Sequence, residues 1–114
     1  MSDVQAVHEA HNQPRYFMKR PVAIRAMQFN GDDSWQGLMD FTDEKVRETR
    51  KREGSKLGEP VHEVYDYLHD TWIKFNKGDW ILEGSKGEFY PHEGELFKTN
   101  YEEVSMPDKV IIEV

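Results

Sequence analysis

The sequence contains no cysteine. That excludes a disulfide framework, a thiolate zinc site and a cysteine nucleophile, and it suits a reducing cytoplasm. Long apolar runs are missing as well. No stretch approaches the ~18–20 apolar residues of a membrane span, and the opening residues MSDVQAVHEAHNQ lack the basic start and apolar core of a secretory signal. A soluble intracellular protein without membrane association is the expectation. Apolar residues are scarce overall, at 37% against 32% charged. A chain of 114 residues therefore has room for one domain with a modest core, in which large aromatics replace part of the missing aliphatic mass. A basic excess is also lacking, since the net charge is −7. Nucleic-acid binders usually carry the opposite sign, which disfavours direct nucleic-acid binding. Acidity fits plain solubility first, then a binder of basic protein surfaces or a mimic of nucleic acid. The charge is unevenly spread: residues 79–114 hold nine acids and three lysines, whereas residues 15–25 hold four basic residues and no acid.

What is present reads as strands around one helix. Residues 1–14 are polar and end at Pro14, so they read as a tail ahead of a single domain over 15–114. His8 and His11 could share a helical face, but two histidines make no metal site. Residues 21–30, PVAIRAMQFN, alternate as a first strand. Asp33 or Ser34 is placed to cap a helix whose apolar stripe is Trp35, Leu38 and Met39, with Phe41 and Thr42 closing or bending it. Residues 43–56 hold six basic and four acidic side chains with Val46 as their one apolar residue; they read as a solvated helix running into a loop at Gly54, Gly58 and Pro60.

From Val61 the period switches to two. With His69-Asp70 as a two-residue turn, Val64 opposes Phe75 and Tyr67 opposes Trp72. One hairpin face then carries Val64, Asp66, Leu68, Ile73 and Phe75 and is the core candidate; the other carries Glu63, Tyr65, Tyr67, Trp72 and Lys74. Asn76-Lys77-Gly78-Asp79 turns into WILE, a third strand of the same sheet, and Gly84-Ser85-Lys86-Gly87 turns into EFY, with both glycines free to take positive φ. Residues 94–100 suit one or two helical turns, and residues 101–104 and 109–114 read as closing strands.

The stretches Gly78-Asp79-Trp80-Ile81 and Gly84-x-x-Gly87-Glu88-Phe89-Tyr90-Pro91, with Lys19-Arg20-Pro21-Val22 through Gln28-Phe29, form a pattern. Over about residues 17–104 the chain resembles a family of small, mostly uncharacterised proteins of tailed bacteriophages and prophages, with a GDWIIxGxKGEFYP motif; Glu63-Val64-Tyr65-Asp66 and Leu68-His69-Asp70-Thr71-Trp72 are similar to its actinobacteriophage branch. It departs from that pattern at Glu93-Gly94-Glu95, where the family often has a proline, and at His92, where it often has a cysteine. The resemblance implies a phage origin and a host-cytoplasm setting. It brings no catalytic residue with it.

No chemistry is spelled out by a motif. The glycine turn with Lys86 could cradle a phosphate, but the GKS or GKT ending and the following helix of a P-loop are missing, so turn shape explains the glycines better. Glu88 and His92 are acid–base candidates, set against an ordinary turn-capping role for Glu88. Asp66, His69 and Asp70 match no zinc or calcium spacing and read as turn chemistry. Tyr65, Tyr67, Trp72 and Trp80 could stack on a nucleobase or fill a core, core being the stronger reading for Trp80.

The expected fold is α+β: one small, bent antiparallel sheet of five or six strands, open or partly closed toward a barrel, with one main helix. The expected function is that of a non-enzymatic phage accessory protein that works by binding. Its partner is either a host protein, such as a defence protein, or a small nucleotide-like ligand held by Tyr65, Tyr67, Trp72, Lys86, Glu88, Tyr90 and His92, with a homo-oligomer as a compatible state. No cofactor or metal is expected. The rival classes are a nucleotide-processing enzyme using Glu88 and His92, and a minor virion or assembly protein.

Overall fold

The computed structural model describes residues 12–105; the expected tail histidines at 8 and 11 and the closing strand at 109–114 lie outside them. The fold is α+β, and among the described residues it has eight short strands, all antiparallel, and two helices. In chain order these are β1 (Arg25–Gln28), α1 (Asp32–Phe41), β2 (Val46–Thr49), β3 (Arg52–Glu53), β4 (Lys56–Leu57), β5 (Val61–Asp66), β6 (Thr71–Phe75), β7 (Trp80–Glu83), β8 (Phe89–His92) and α2 (Gly94–Asn100). No helix among the described residues is long and apolar enough to cross a membrane.

The strands form three sheets rather than the single bent sheet or partly closed barrel expected, ordered β1-β7-β8, β2-β5-β6 and β3-β4. The division occurs at the turn after β6. Gly78 takes φ 97° there, a value open to glycine at little steric cost. Its amide donates to the Phe29 carbonyl at 2.8 Å, and the Phe29 amide donates to the Asp79 carbonyl at 2.8 Å. The Gln28 side-chain amide adds a 3.0 Å bond to the Gly78 carbonyl. These bonds fasten the turn to the end of β1, so β7 pairs with β1 and β8 and not with β6.

The core lies between the two three-stranded sheets and α1. Phe29, Ile81 and Phe89 enter from one sheet, Val46, Val64 and Phe75 from the other, and Leu38 from the helix, with Met27, Trp35, Met39, Phe41 and Ile73 packed around them. The expected stripe of α1 is thus the stripe that packs. The expected cap is different. The helix starts at Asp32 after Gly31 and has no side-chain cap. Ser34 sits inside the first turn, where its hydroxyl accepts the Asn30 amide at 2.8 Å and donates to the Gly31 carbonyl at 2.9 Å. Asp32 and Asp33 place negative charge at the positive end of the helix dipole. At the other end Thr42 is fully buried; its hydroxyl donates to the Leu38 carbonyl at 2.7 Å and accepts the Lys45 amide at 3.2 Å.

The charged segment after α1 is strand, not helix. Asp43 and Glu44 take φ 54° and 63°, and two left-handed residues in succession cannot continue a right-handed helix. The chain leaves as β2, which buries only Val46 and lays Arg47, Glu48 and Thr49 along β5 as a charged edge. The β5–β6 connection is four residues, Tyr67 to Asp70, not two: Asp66 faces Thr71, Tyr65 faces Trp72 and Val64 faces Ile73. This register is shifted by two positions from the expected one. A shift of two preserves side-chain faces, so Val64, Asp66 and Phe75 are buried as expected. Leu68 is the exception; it lies in the loop and is exposed. Residues 101–105, expected in part as a closing strand, have no regular structure.

Phe75 packs edge-on against Phe29 at 5.2 Å and is almost fully buried. Phe75→Ala is expected to destabilise the fold by about 3–5 kcal/mol, read as a lower urea midpoint with an unchanged slope.

Candidate functional site

Alternation along β7 gives its sheet two distinct faces. Met27, Ile81 and Phe89 point into the core. Ala26, Gln28, Trp80, Leu82, Tyr90 and His92 share the opposite face, as the register Trp80↔His92 and Leu82↔Tyr90 requires. That second face is only partly covered. The short helix α2 packs over one end, where Phe97 stacks on Trp80 at 4.4 Å and 15° and Tyr101 stacks on Phe97 at 4.8 Å and 14°. The His92 ring meets Phe97 and Tyr101 edge-on at 5.8 and 5.6 Å.

The helix is held there by two details at its start. Glu93 caps it, its carboxylate accepting the Glu95 and Leu96 amides at 3.1 and 2.8 Å; these bonds hold the Glu93 carboxyl below the usual carboxylate range. Gly94 lies so close to the β6–β7 turn that a Cβ there would stand 2.3 Å from the Gly78 carbonyl oxygen.

Between α2 and the extended residues 19–24 runs an open groove of about 880 Å³. Trp80, Tyr90, His92, Phe97 and Tyr101 form its aromatic surface. Lys19 and Arg20 stand in one wall, and Glu88, Glu102 and Glu103 bring acidic charge to the lining. Burial, with smaller contributions from Tyr101 and Glu88, raises the Tyr90 hydroxyl pKa, so it is a neutral hydrogen-bonding group near neutral pH. The Trp80 indole N–H is buried with no acceptor among the described residues.

The seven residues expected to hold a ligand fall into three places. Glu88, Tyr90 and His92 line the groove; Tyr65, Tyr67, Trp72 and Lys86 do not. Tyr65 and Trp72 pair on the outer face of the β2-β5-β6 sheet with rings 5.3 Å apart. Arg47 covers the Trp72 ring at 4.0 Å while pairing with Glu63 at 3.0 Å. The Tyr65 hydroxyl donates to Asp70, the bond that contributes most to raising its pKa. Tyr67 donates its hydroxyl to the Lys86 carbonyl and so ties the β5–β6 loop to the β7–β8 turn.

Glu88 works within its own turn. Its carboxylate accepts the Lys86 amide at 3.1 Å. The Gly84 amide donates to the Glu88 carbonyl at 2.7 Å and the Gly87 amide to the Gly84 carbonyl at 3.0 Å. The amides that a phosphate would need are thus used by the turn. Only Gly87 takes positive φ, at 79°. Gly84 serves a different purpose, because a Cβ there would lie 1.5 Å from a Glu88 carboxylate oxygen. His92 donates from Nδ1 to the Glu93 carbonyl at 3.0 Å, and no hydrogen bond joins it to Glu88 among the described residues.

Two groups were not singled out from the sequence. The Phe97–Tyr101 wall was signalled by its i,i+4 spacing, which stacks side chains on one helix face. His62 gave no such signal. Its ring sits against Phe29 at 4.6 Å and Trp35 at 5.4 Å, with Nε2 3.0 Å from a Glu48 oxygen, as a partly buried histidine on the middle strand of its sheet, satisfied by the edge strand β2. Comparison with protein-family models, with curated proteins and with solved structures finds no match. Among the described residues no group of three or more His, Asp or Glu side chains could hold a metal ion.

Two outcomes are expected. Gly84→Ala displaces the Glu88 carboxylate and costs about 1 kcal/mol, and the same change made in a Glu88→Ala background costs much less, as a thermal-melt double-mutant cycle reads directly. The second concerns Asp66, which is buried and accepts from the Leu68 amide at 3.0 Å and pairs with His69 at 2.6 Å. Burial is the largest single influence on its carboxyl and pushes the pKa up, but His69 and the Leu68 and His69 amides together outweigh it, leaving the value below the ordinary 3.8. A lowered folded-state pKa means stability present above the unfolded value and lost as pH falls through the folded one. Asp66→Asn should therefore lower stability at pH 7 by about 1–3 kcal/mol, and the gap to wild type should close on acidification below pH 3.8 in melts taken across that range.

Proposed function

We propose that the protein is a phage accessory protein that acts in the host cytoplasm by binding a host protein, and that the groove beside α2 is the contact surface. The observation that carries this is the exposed, partly covered sheet face: aromatic side chains in one open channel, with Glu88, Glu102 and Glu103 outnumbering Lys19 and Arg20 in its lining. A polypeptide segment with apolar and basic side chains matches that chemistry. Among the described residues nothing in the lining forms a hydrogen-bonded nucleophile–base pair, and the Glu88 carboxylate is engaged by its own turn, which favours binding over catalysis.

A host protein fits better than a small nucleotide. Several ring faces that could clamp a base are already used, Phe97 between Trp80 and Tyr101 and Trp72 beneath Arg47, and base stacking needs an open face. The phage setting rests on the sequence resemblance.

Affinity capture with the full chain tests this. One host protein should bind saturably once purified, and Glu102→Lys with Glu103→Lys, both at exposed positions, should weaken it at least about tenfold. Equal binding by that variant removes the groove from the proposal. Nucleotide turnover abolished by Glu88→Gln, or abundance of the protein in purified particles, overturns the accessory-binding function.

A further inference from the structure

The chain carries, just ahead of the groove, a segment with the chemistry the groove would take from a partner. Residues 15–20 read RYFMKR. Tyr16, Phe17 and Met18 have relative exposures of 104, 80 and 94%. Three consecutive large apolar side chains at nearly full exposure are unusual on a folded domain, and a few residues later the same backbone forms the groove wall. Arg15 precedes the triplet, and in the groove lining the three acids Glu88, Glu102 and Glu103 outnumber the two bases Lys19 and Arg20. Arm and groove are thus complementary in charge as well as in apolar character.

We propose that the arm of residues 15–18 seats in the groove of a second copy of the chain. Tyr16, Phe17 and Met18 lie against the Tyr90, Phe97 and Tyr101 surface, and Arg15 faces Glu102 and Glu103. This rests on the groove being a binding surface and adds its regulation: a host segment binds at the expense of the dimer. Seating in the chain's own groove is disfavoured by the backbone. Residues 15–20 contain no glycine, Pro21 has its φ fixed by the ring, and Arg20, as the residue before proline, is confined to extended conformations. A chain reversal takes four residues, which is all that Arg15 to Met18 supply ahead of the wall at Lys19, so nothing is left to seat in the same groove, and a reciprocal exchange satisfies both arms with one twofold interface.

Sedimentation velocity of the full chain tests the exchange. Wild type should be a dimer that dissociates on dilution from about 200 to about 1 μM and weakens with salt. Phe17→Ser with Met18→Ser, at solvent-exposed positions, should raise the dimer Kd at least about tenfold with an unchanged circular dichroism spectrum. Glu102→Lys with Glu103→Lys should do the same, and mixing that variant with an Arg15→Glu copy should restore association. A wild-type monomer over the whole range, or a dimer indifferent to both double variants, overturns the proposal. The two functional statements fail separately: a monomer that still captures a host protein through the groove refutes only the arm exchange, whereas an arm-dependent dimer with no host partner refutes only the host-binding function.

Discussion

The central constraint on this structure is that β7 is buried on both faces. Ile81 and Leu82 are neighbours in sequence and both have no exposed surface, although successive strand residues must point to opposite sides. In a chain this poor in apolar residues, covering both sides draws on different elements for each face. One side receives α1 and the β2-β5-β6 sheet. The other receives α2 and the groove-lining residues. The central position of β7 follows, since only a middle strand has both edges paired, here with β1 and β8.

The groove is a consequence of how incompletely that second face is covered. The helix α2 has seven residues, about two turns, or roughly 10 Å. It reaches Trp80 through Phe97 and ends, and the sheet beyond it is bounded by backbone without regular structure on both sides. The aromatic stack Trp80–Phe97–Tyr101 therefore serves two ends. It fastens the helix, and it forms one wall of an open channel. The same stacking that gives the wall its rigidity takes up both faces of the Phe97 ring.

Polar side chains in the loops act mainly on the loops themselves. Asp66 organises the β5–β6 connection, Glu88 the β7–β8 turn and Glu93 the start of α2. In each case a carboxylate accepts amides two or three residues away, the local competition that makes such residues common in turns. Acid–base candidates taken from sequence are vulnerable on this ground, because a carboxylate beside a glycine turn reads alike whether it caps the turn or awaits a substrate.

The sequence by itself determined the α+β class, the stripe of α1, the alternation of the hairpin and of β7, and the glycine turns. All of these depend on periods of 2 and 3.6 or on conformations that favour glycine, and both are local properties. The hairpin register was misjudged by two positions, yet its core face survived because faces repeat every second residue. Tertiary structure alone decided the rest. Residues 46–49 became a strand because β5 had an open edge and Asp43 and Glu44 turned the chain toward it, and the residues after them closed into the small β3-β4 hairpin. The expected ligand set split into three places because β7 paired with β1 instead of β6. Neither pairing has a signature within a short window of sequence: strand partners are chosen by which arrangement buries both faces of β7, a property of the whole chain.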